Sequence, residues 1–244
     1  ISPTSSEERI HIGDSEFKGL EDAINKLLDR MRDSYKQQAR FVSDASHELR
    51  TPISVIQGYV NLIDRWGKSD TEVLEESISS IKYETEHMAN LIKQLLFLAR
   101  TDNKTQTAQL KPENISIIAE DVVREATVMD SKITIKFTGD NSVIANIDEH
   151  LIKQLMWIFV DNAIKYSADK PIIINVNTGY ENEKPFFTVA DKGIGMEQEN
   201  INHIFDRFYR ADQSRNKEID GNGLGLSIAK WIIEQHNGHI DVVS

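Results

Sequence analysis

The sequence predicts a two-domain α+β protein, in which a long helical hairpin that forms a dimeric four-helix bundle precedes an α/β sandwich. Three observations predict this architecture. Apolar residues recur at heptad spacing through most of residues 14–100, as is typical of long bundle helices. The polar stretch at residues 101–112 carries no periodicity and indicates a linker. Beyond it, short strand patterns interleave with helical ones, which indicates a sheet covered by helices on one face.

Composition narrows the classes of partner and site. The 244 residues are enough for two domains with their own cores. The net charge is −11 without basic clusters, which argues against nucleic acid as a partner because phosphate binding needs clustered Lys and Arg. The absence of cysteine excludes disulfides and thiolate metal sites. No apolar run reaches the roughly 18 residues of a membrane span, and no signal peptide is recognisable.

The first helix is predicted from Asp14 to Trp66, after a polar, frayed start at residues 1–13. Pro52 falls inside the pattern, where it removes one helix hydrogen bond and is expected to bend the helix. Two interlocking heptad series define the apolar stripe: Leu28, Tyr35, Val42, Leu49, Ile56 and Ile63, and Ile24, Met31, Gln38, Ala45, Pro52 and Tyr59.

A turn at residues 67–70, with Ser69 or Asp70 as a cap, introduces a second helix from about Thr71 to Arg100. Two apolar stripes in one hairpin cannot both be buried within it, so a dimeric four-helix bundle is expected. The alternative is that the hairpin packs on the second half of its own chain. The stripe of the second helix comprises Leu74, Ile78, Ile81, Thr85, Met88, Ile92, Leu95 and Ala99.

The stretch FVSDASHELRTP, residues 41–52, carries the first candidate chemistry. His47 and Thr51 are one helical turn apart, Glu48 adjoins them, and the heptad frame places His47 at a solvent-facing f position. A neutral histidine is a nucleophile, and a neighbouring carboxylate can take its second ring proton. This combination suits attack on a phosphoryl group. The alternative is a solvated helix turn with a chance histidine.

The second half is predicted to alternate between helices and strands. The predicted helices are residues 114–128, residues 149–167 and Leu224–His236. The predicted strands are Lys132–Phe137, Val143–Ile147, Ile172–Val176, Phe186–Ala190 and a final short strand at His239–Val243.

Three motifs of this half carry candidate chemistry. In DNAIKYS, residues 161–167, Asn162 and Lys165 share a helix face and offer an amide oxygen for Mg²⁺ and an ammonium for phosphates. In DKGIGM, residues 191–196, Asp191 follows a strand and can accept a hydrogen bond from an exocyclic amine, while the glycines let a ligand approach the backbone. In GNGLGLS, residues 221–227, glycines open a helix whose N–H groups and dipole favour phosphate. Taken singly, each is as consistent with a solvated face or an ordinary turn.

In this order the motifs resemble those of the sensor histidine kinases of two-component systems. The matching segments are an H box at 41–52, an N box at 161–167, a G1 box at 191–196, an F box (FDRFYR) at 205–210 and a G2 box at 221–227. The resemblance covers roughly residues 30–244. It implies a HAMP-end remnant at 1–30, a dimerisation and phosphotransfer domain at 31–106, and a Bergerat-type ATP-binding domain at 107–244.

The resemblance also implies a role for each matching residue. His47 would be the phosphoacceptor, Glu48 its adjacent base, and Thr51 would position water for dephosphorylating the regulator. Asn162 would ligate Mg²⁺ and Asp191 would read the adenine amine. The other implied ATP-binding residues are Lys165, Tyr166, Gly193, Ile194, Gly195, Arg207, Tyr209, Gly221, Gly223, Leu224, Gly225 and Leu226.

The implied activity is ATP-dependent autophosphorylation of His47, followed by transfer to an aspartate in the receiver domain of a response regulator. Phosphatase activity toward that regulator is also implied. The alternatives are a phosphatase-dominant module and a nucleotide-binding dimeric scaffold. Both ends look cut, so we expect a piece of a longer protein, and we expect this piece to be a homodimer. The resemblance implies that the whole protein is anchored in the cell membrane and that this piece lies in the cytoplasm.

The sequence departs from the family pattern at two places. Ile158 stands where many relatives carry a second asparagine, which leaves Asn162 as the one expected metal ligand on its helix. The further C-terminal strand usual in the family does not follow Ser244. The remaining histidines show no spacing typical of metal ligands.

Overall fold

The computed structural model describes residues 17–67, 70–129, 133–167, 172–211 and 221–244. The chain divides into two compact units, one ending at Ala89 and the other beginning at Asn90. No helix among the described residues is both long enough and apolar enough to cross a membrane. The division falls inside a helix, because the last turns of that helix pack within the second unit. The domain limits expected at residues 30 and 106 stay predictions.

The helix α1 spans Lys18–Trp66, 49 residues, and continues through a buried Pro52. Pro52 has no N–H, so it cannot donate to the carbonyl of Glu48 one turn earlier. Two serines on either side bond back to the helix, Ser46 Oγ to the carbonyl of Val42 at 2.7 Å and Ser54 Oγ to that of Arg50 at 3.0 Å. The predicted start at Asp14 lies outside the described residues.

The helix α2 spans Thr71–Asp102, 32 residues. Asp70 caps it as predicted, since its Oδ1 accepts the N–H groups of Glu72 at 3.0 Å and Val73 at 3.2 Å. Ser69, the alternative cap, lies outside the described residues.

Within the single chain, the buried positions of α2 lie one residue before one half of the predicted stripe. The series beginning at Leu74 is partly buried, but Ile78 and Ile92 are exposed to 54% and 44%. Ser77 and Leu91 are buried in their place. A hydrophobicity pattern prefers Ile to Ser and cannot separate two adjacent apolar residues, whereas packing selects the small Ser77.

In the part of the second unit that the structure describes there are two small sheets and four further helices. A three-stranded sheet has the order β2-β4-β5, with β2 parallel and β5 antiparallel to β4, and β1 pairs with β3 in a two-stranded antiparallel sheet. The elements are β1 Lys111–Asn114, α3 Ile115–Met129, β2 Ile133–Gly139, β3 Ile144–Ile147, α4 Glu149–Tyr166, β4 Ile172–Glu181, β5 Lys184–Ala190, α5 Gln198–Ile201 and α6 Gly225–Gln235.

The core of this unit lies between the larger sheet and the helices α3, α4 and α6. Alternate residues of β4, Ile172, Ile174 and Val176, are buried toward it, as expected for a strand with one covered face. The helices supply the facing apolar side chains, which include Val122, Ala126, Leu155, Met156, Ile228 and Ile232. This arrangement confirms the predicted helical region followed by an α/β domain.

The structure corrects the sequence-based elements in two places. The strand predicted at His239–Val243 is wrong, because residues 239–244 pair with no strand among the described residues, and a strand needs a neighbour for its hydrogen bonds. The linker predicted at residues 101–112 is too long. The helix α2 reaches Asp102 and β1 begins at Lys111. The sequence of β1, KPEN, has no alternation, so only pairing with β3 makes this segment a strand.

Asp148 ties three segments together at the start of α4. Its Oδ1 accepts the N–H of Leu151 at 3.1 Å and its Oδ2 that of Gln109 at 2.8 Å. Its own N–H donates to Nε2 of His236 at 3.0 Å, and Nδ1 of that ring lies 2.7 Å from the carbonyl of Ile232. The ring is therefore the tautomer with its proton on Nδ1. These bonds fix the helix that carries the N box against the end of α6.

Candidate functional site

The H-box turn presents its reactive side chains to solvent. His47 and Thr51 are exposed one turn apart on α1, and Glu48 between them is half-buried. Ala45 and Leu49, on either side of His47 in the sequence, are also half-buried. The heptad expectation for His47 is therefore met within the single chain. The turn offers an accessible imidazole with a carboxylate at the next position.

The N box forms the last turn of α4. Asn162 and Lys165 are half-buried, and Tyr166 is 36% exposed. Lys165 Nζ pairs with Asp161 Oδ2 at 2.6 Å. This partner was not foreseen, although the Asp–Lys spacing of four residues is the usual signal for such a pair on a helix.

A backbone bridge joins the N box to the G1 box. Ser167 and Gly193 form an isolated antiparallel bridge, and the N–H of Ile194 donates to the carbonyl of Tyr166 at 3.2 Å. Asp191 follows β5 directly and accepts the N–H of Gly193 at 2.7 Å. A Cβ at position 193 would lie 2.5 Å from the carbonyl oxygen of Tyr166. Only glycine fits here without moving one of the two boxes.

The rest of the G1 box turns away from this bridge through Gly195, whose φ is +66°. Ile194 is exposed at 57%. The N–H of Met196 donates to Ser244 Oγ at 2.5 Å. Ser244 had no sequence signal, because nothing in the local pattern links it to a loop 48 residues earlier.

A second backbone connection joins the F box to the G2 box. The N–H of Phe208 donates to the carbonyl of Gly223 at 3.0 Å. Gly223 has a φ of +66°, and a Cβ there would meet the carbonyl carbon of Phe208 at 2.7 Å. Tyr209 donates its hydroxyl hydrogen to Asn200 Oδ1 at 2.7 Å, which anchors the F box on α5. Part of the stretch between these boxes, residues 212–220, lies outside the described residues.

The G2 box opens α6 against α4. A Cβ on Gly225 would lie 3.4 Å from Ile158 Cγ2, an ordinary contact, while Gly221 has no neighbour within 4 Å of such an atom. Leu224 is fully buried and Leu226 half-buried. Leu224 therefore packs in the core and exposes no atom to a ligand. Ile158, which replaces the second asparagine, packs where α6 begins.

Arg207 of the F box contacts the end of α2. Its Nη1 and Nη2 donate to the two carboxylate oxygens of Asp102, at 2.8 and 2.7 Å. Five residues earlier on α2, Phe97 meets Trp231 of α6 edge to face, with ring centroids 5.2 Å apart. Both contacts lie within the second unit. Neither contact was predicted from the local patterns, because more than 100 residues separate the partners.

Comparison with known families assigns both halves of the chain. Residues 37–104 match the "His Kinase A (phospho-acceptor) domain", and residues 147–244 match the "Histidine kinase-, DNA gyrase B-, and HSP90-like ATPase" family. The H box falls in the first match, and the N, G1, F and G2 boxes fall in the second. The chain belongs to the sensor histidine kinases of two-component systems.

Relatives of this chain include the sensor histidine kinase YkoH of Bacillus subtilis, 42% identical over 91% of the chain and 48% of that protein. The signal transduction histidine-protein kinase ArlS of Staphylococcus aureus is 38% identical over 94% of the chain and 51% of that protein. The chain thus spans about half the length of the curated relatives it matches.

Two of the solved structures that share the fold of this chain are the following. The histidine kinase ThkA, in complex with the response regulator protein TrrA, superposes with a TM-score of 0.65 at 21% identity, covering 93% of this chain and 62% of that one. The Acinetobacter baumannii histidine kinase AdeS superposes with a TM-score of 0.59 at 22% identity, covering 78% of this chain and 86% of that one.

Proposed function

We propose that this chain is the kinase core of a sensor histidine kinase. It phosphorylates His47 with ATP and passes the phosphoryl group to an aspartate of a response regulator. The observation that carries this proposal is the presence in one chain of an exposed His47 next to the half-buried Glu48, together with N and G1 boxes that are joined by the bridge at Gly193. A nucleotide-binding scaffold would need no nucleophile beside a carboxylate.

In the proposed reaction a ring nitrogen of His47 attacks the γ-phosphorus of ATP. An N–P bond forms, the bond from phosphorus to the bridging oxygen of ADP breaks, and Glu48 takes the proton from the other ring nitrogen. Because the transferred group needs little covalent help, positioning and charge stabilisation supply most of the catalysis.

The nucleotide would be held by separate groups for its base and its phosphates. Asp191, exposed at the end of β5, would accept a hydrogen bond from the adenine amine. Lys165 would exchange Asp161 for a phosphate oxygen, and the half-buried amide of Asn162 would ligate Mg²⁺. The described residues contain no cluster of three His, Cys, Asp or Glu side chains suited to a metal. In this proposal the ion is held by Asn162, phosphates and water, a set of oxygen ligands that Mg²⁺ commonly takes.

A homodimer is the proposed assembly. Met31, Val42 and Val60 of α1 are exposed by half or more, and the first two belong to the predicted heptad stripe. Exposed apolar residues repeated along a helix are typical of a surface that packs against another helix in a bundle. The match of this region to the phosphoacceptor family supports the same assembly. Light scattering of the purified protein should give twice the chain mass of 27.8 kDa.

The proposed partner is the receiver domain of a response regulator, and the solved complex of ThkA with TrrA supports this class of partner. The chain spans about half the length of its relatives. The whole protein is proposed to be attached to the cell membrane, with the kinase core in the cytoplasm.

The test is incubation with γ-labelled ATP and Mg²⁺, followed by acid and alkali treatment of the labelled protein. We expect label that acid removes and alkali leaves. His47→Ala should abolish it while sparing ATP binding, and the control His150→Ala, an exposed histidine at the start of α4, should label normally. Label that persists in His47→Ala would exclude this phosphoacceptor, and unlabelled wild type that still binds ATP would favour the phosphatase-dominant alternative.

A second candidate activity is dephosphorylation of the regulator. It is favoured by the exposure of Thr51 one turn after His47, where a hydroxyl can hold a water molecule against a phosphoryl group docked at the same turn.

A further inference from the structure

The contact between Arg207 and Asp102 connects the end of α2 to the candidate nucleotide site. Both guanidinium nitrogens donate to the carboxylate, at 2.8 and 2.7 Å. Arg207 directly precedes Phe208, a residue at φ +61° whose N–H is bonded to Gly223 of the G2 box. The backbone that carries the guanidinium therefore adjoins the glycine turn through a single peptide.

The helix that follows the G2 box is held by the same end of α2. The ring of Trp231 on α6 packs edge to face on Phe97, one and a half turns before Asp102. The two contacts together fix the last turns of α2 against both segments that flank residues 212–220. Of these two contacts, the Arg207–Asp102 pair is ionic and the Phe97–Trp231 contact is apolar. An anionic ligand can therefore displace Asp102 from Arg207.

Arginine binds carboxylates and phosphates through the same planar fork of N–H groups. The bidentate pair with Asp102 uses two of those groups on one side of the guanidinium. The phosphates of a nucleotide are expected at the glycine backbone and helix N-terminus of the G2 box, which the Phe208–Gly223 bond places next to Arg207. A phosphate group and the Asp102 carboxylate are therefore two anionic ligands that can bind the same Arg207 guanidinium.

We propose that Asp102 and the phosphates of ATP compete for Arg207, so that nucleotide binding releases the F box from the end of α2. Asp102 is in this sense a positioning residue, since it acts on the nucleotide site only through Arg207. The inference rests on the proposed function for its ligand, ATP, but it adds a regulatory contact that is set by the last residue of α2.

The size of the effect follows from the exposure of the pair. The two side chains are 33% and 52% exposed, and an ion pair of this exposure contributes up to about 1 kcal/mol even in good geometry. That value corresponds to a change of roughly fivefold in an equilibrium constant. Losing the competitor should thus strengthen ATP binding by about two- to fivefold, less at high salt because exposed charges are screened.

The test compares ATP dissociation constants, measured by titration calorimetry with Mg²⁺, for the wild type and Asp102→Asn. Asparagine keeps the shape of the side chain and removes its charge. We expect Asp102→Asn to bind ATP two- to fivefold more tightly and Asp102→Glu to bind like the wild type. Asp121→Asn, which breaks the exposed pair with Arg124 on α3, should leave binding unchanged and is the matched control.

A second variant separates competition from a general effect on folding. Arg207→Gln should weaken ATP binding, and adding Asp102→Asn to it should have no further effect, because the carboxylate then has no guanidinium to withhold. Equal or weaker ATP binding by Asp102→Asn, or an undiminished effect of Asp102→Asn in the Arg207→Gln background, would overturn the inference. Absence of ATP binding in the wild type would instead refute the proposed nucleotide site.

Discussion

His47, Glu48 and Thr51 occupy one stretch of a single helix, whereas the proposed nucleotide site is assembled from segments between Ile158 and Ser227. The spacing of the first site is set by the helical repeat alone. The second depends on two backbone connections, Ser167 with Gly193 and Phe208 with Gly223. The first site should therefore tolerate changes in its neighbours that the second does not, and glycine substitutions provide the most direct comparison.

Gly193→Ala should have the largest effect of these substitutions. A Cβ there would lie 2.5 Å from the carbonyl oxygen of Tyr166 and 2.6 Å from Asp191 Oδ1, so the bridge must open or Asp191 must move. Overpacking of this kind costs about 1–3 kcal/mol. If the cost falls on the site, ATP binding weakens by roughly five- to 150-fold, which titration calorimetry will measure.

The control is Gly58→Ala on α1, in the same helix as His47. Nothing lies within 4 Å of a Cβ at that position, and alanine is the better helix former by about 1 kcal/mol. Gly58→Ala should raise the free energy of unfolding and leave ATP binding unchanged. Equal ATP affinities in the two variants would contradict the assignment of the Gly193 bridge to the nucleotide site.

The same contrast explains which features the sequence revealed. The exposure of His47 follows from heptad spacing, and the end of β5 just before Asp191 follows from alternation, because both are local patterns. The bridge at Gly193, the pair of Arg207 with Asp102 and the bond to Ser244 join residues far apart in the chain. No local pattern encodes such contacts, so only the folded structure shows them.

The errors in the predicted secondary structure have the same cause. The strand β1 has no alternation and exists through its pairing with β3, while His239–Val243 has a strand-like sequence and no strand neighbour among the described residues. The register of the α2 stripe needed packing to separate Ser77 from Ile78. The motifs could be located from the sequence because their order along the chain is itself a pattern. Their mutual geometry could not be predicted in this way.

Thr51→Ala should have an intermediate effect, confined to one activity of the H-box turn. Loss of one hydrogen bond to a positioned water costs up to about 1.5 kcal/mol, or roughly tenfold in rate. We expect dephosphorylation of the phosphorylated regulator to slow by about that factor while autophosphorylation of His47 keeps its rate. Phosphate release and histidine labelling are the two measurements.

Ser54→Ala is the matched control for Thr51→Ala, since Ser54 is also exposed on α1 and only bonds back to Arg50. It should change neither rate. A Thr51→Ala variant that loses both activities in parallel would show that the hydroxyl serves the helix or the phosphoacceptor and not a separate phosphatase step.

Asp148→Ala should have the smallest effect, on stability. Burial opposes ionisation of Asp148, but backbone hydrogen bonds from Gln109, Leu151 and His150, with the charge of His150, outweigh it and lower the pKa of the carboxyl. Loss of a helix N-cap costs about 1 kcal/mol, so Asp148→Ala should lower the free energy of unfolding by about that amount at pH 7.

The pH dependence of this loss identifies its cause. A carboxyl whose pKa is lowered in the folded state stabilises the fold above its unfolded pKa, near 4, and ceases to do so as the pH falls through the folded pKa. The difference in unfolding free energy between the wild type and Asp148→Ala should therefore shrink on acidification from pH 7 to below 4, as measured by urea denaturation. A difference that stays constant over this range would mean that Asp148 acts by packing and not by its charge. The junction of α4 with the end of α6 would then be held by side-chain packing alone. The positions of His47 and Thr51 are likewise set without charge, by the helical repeat.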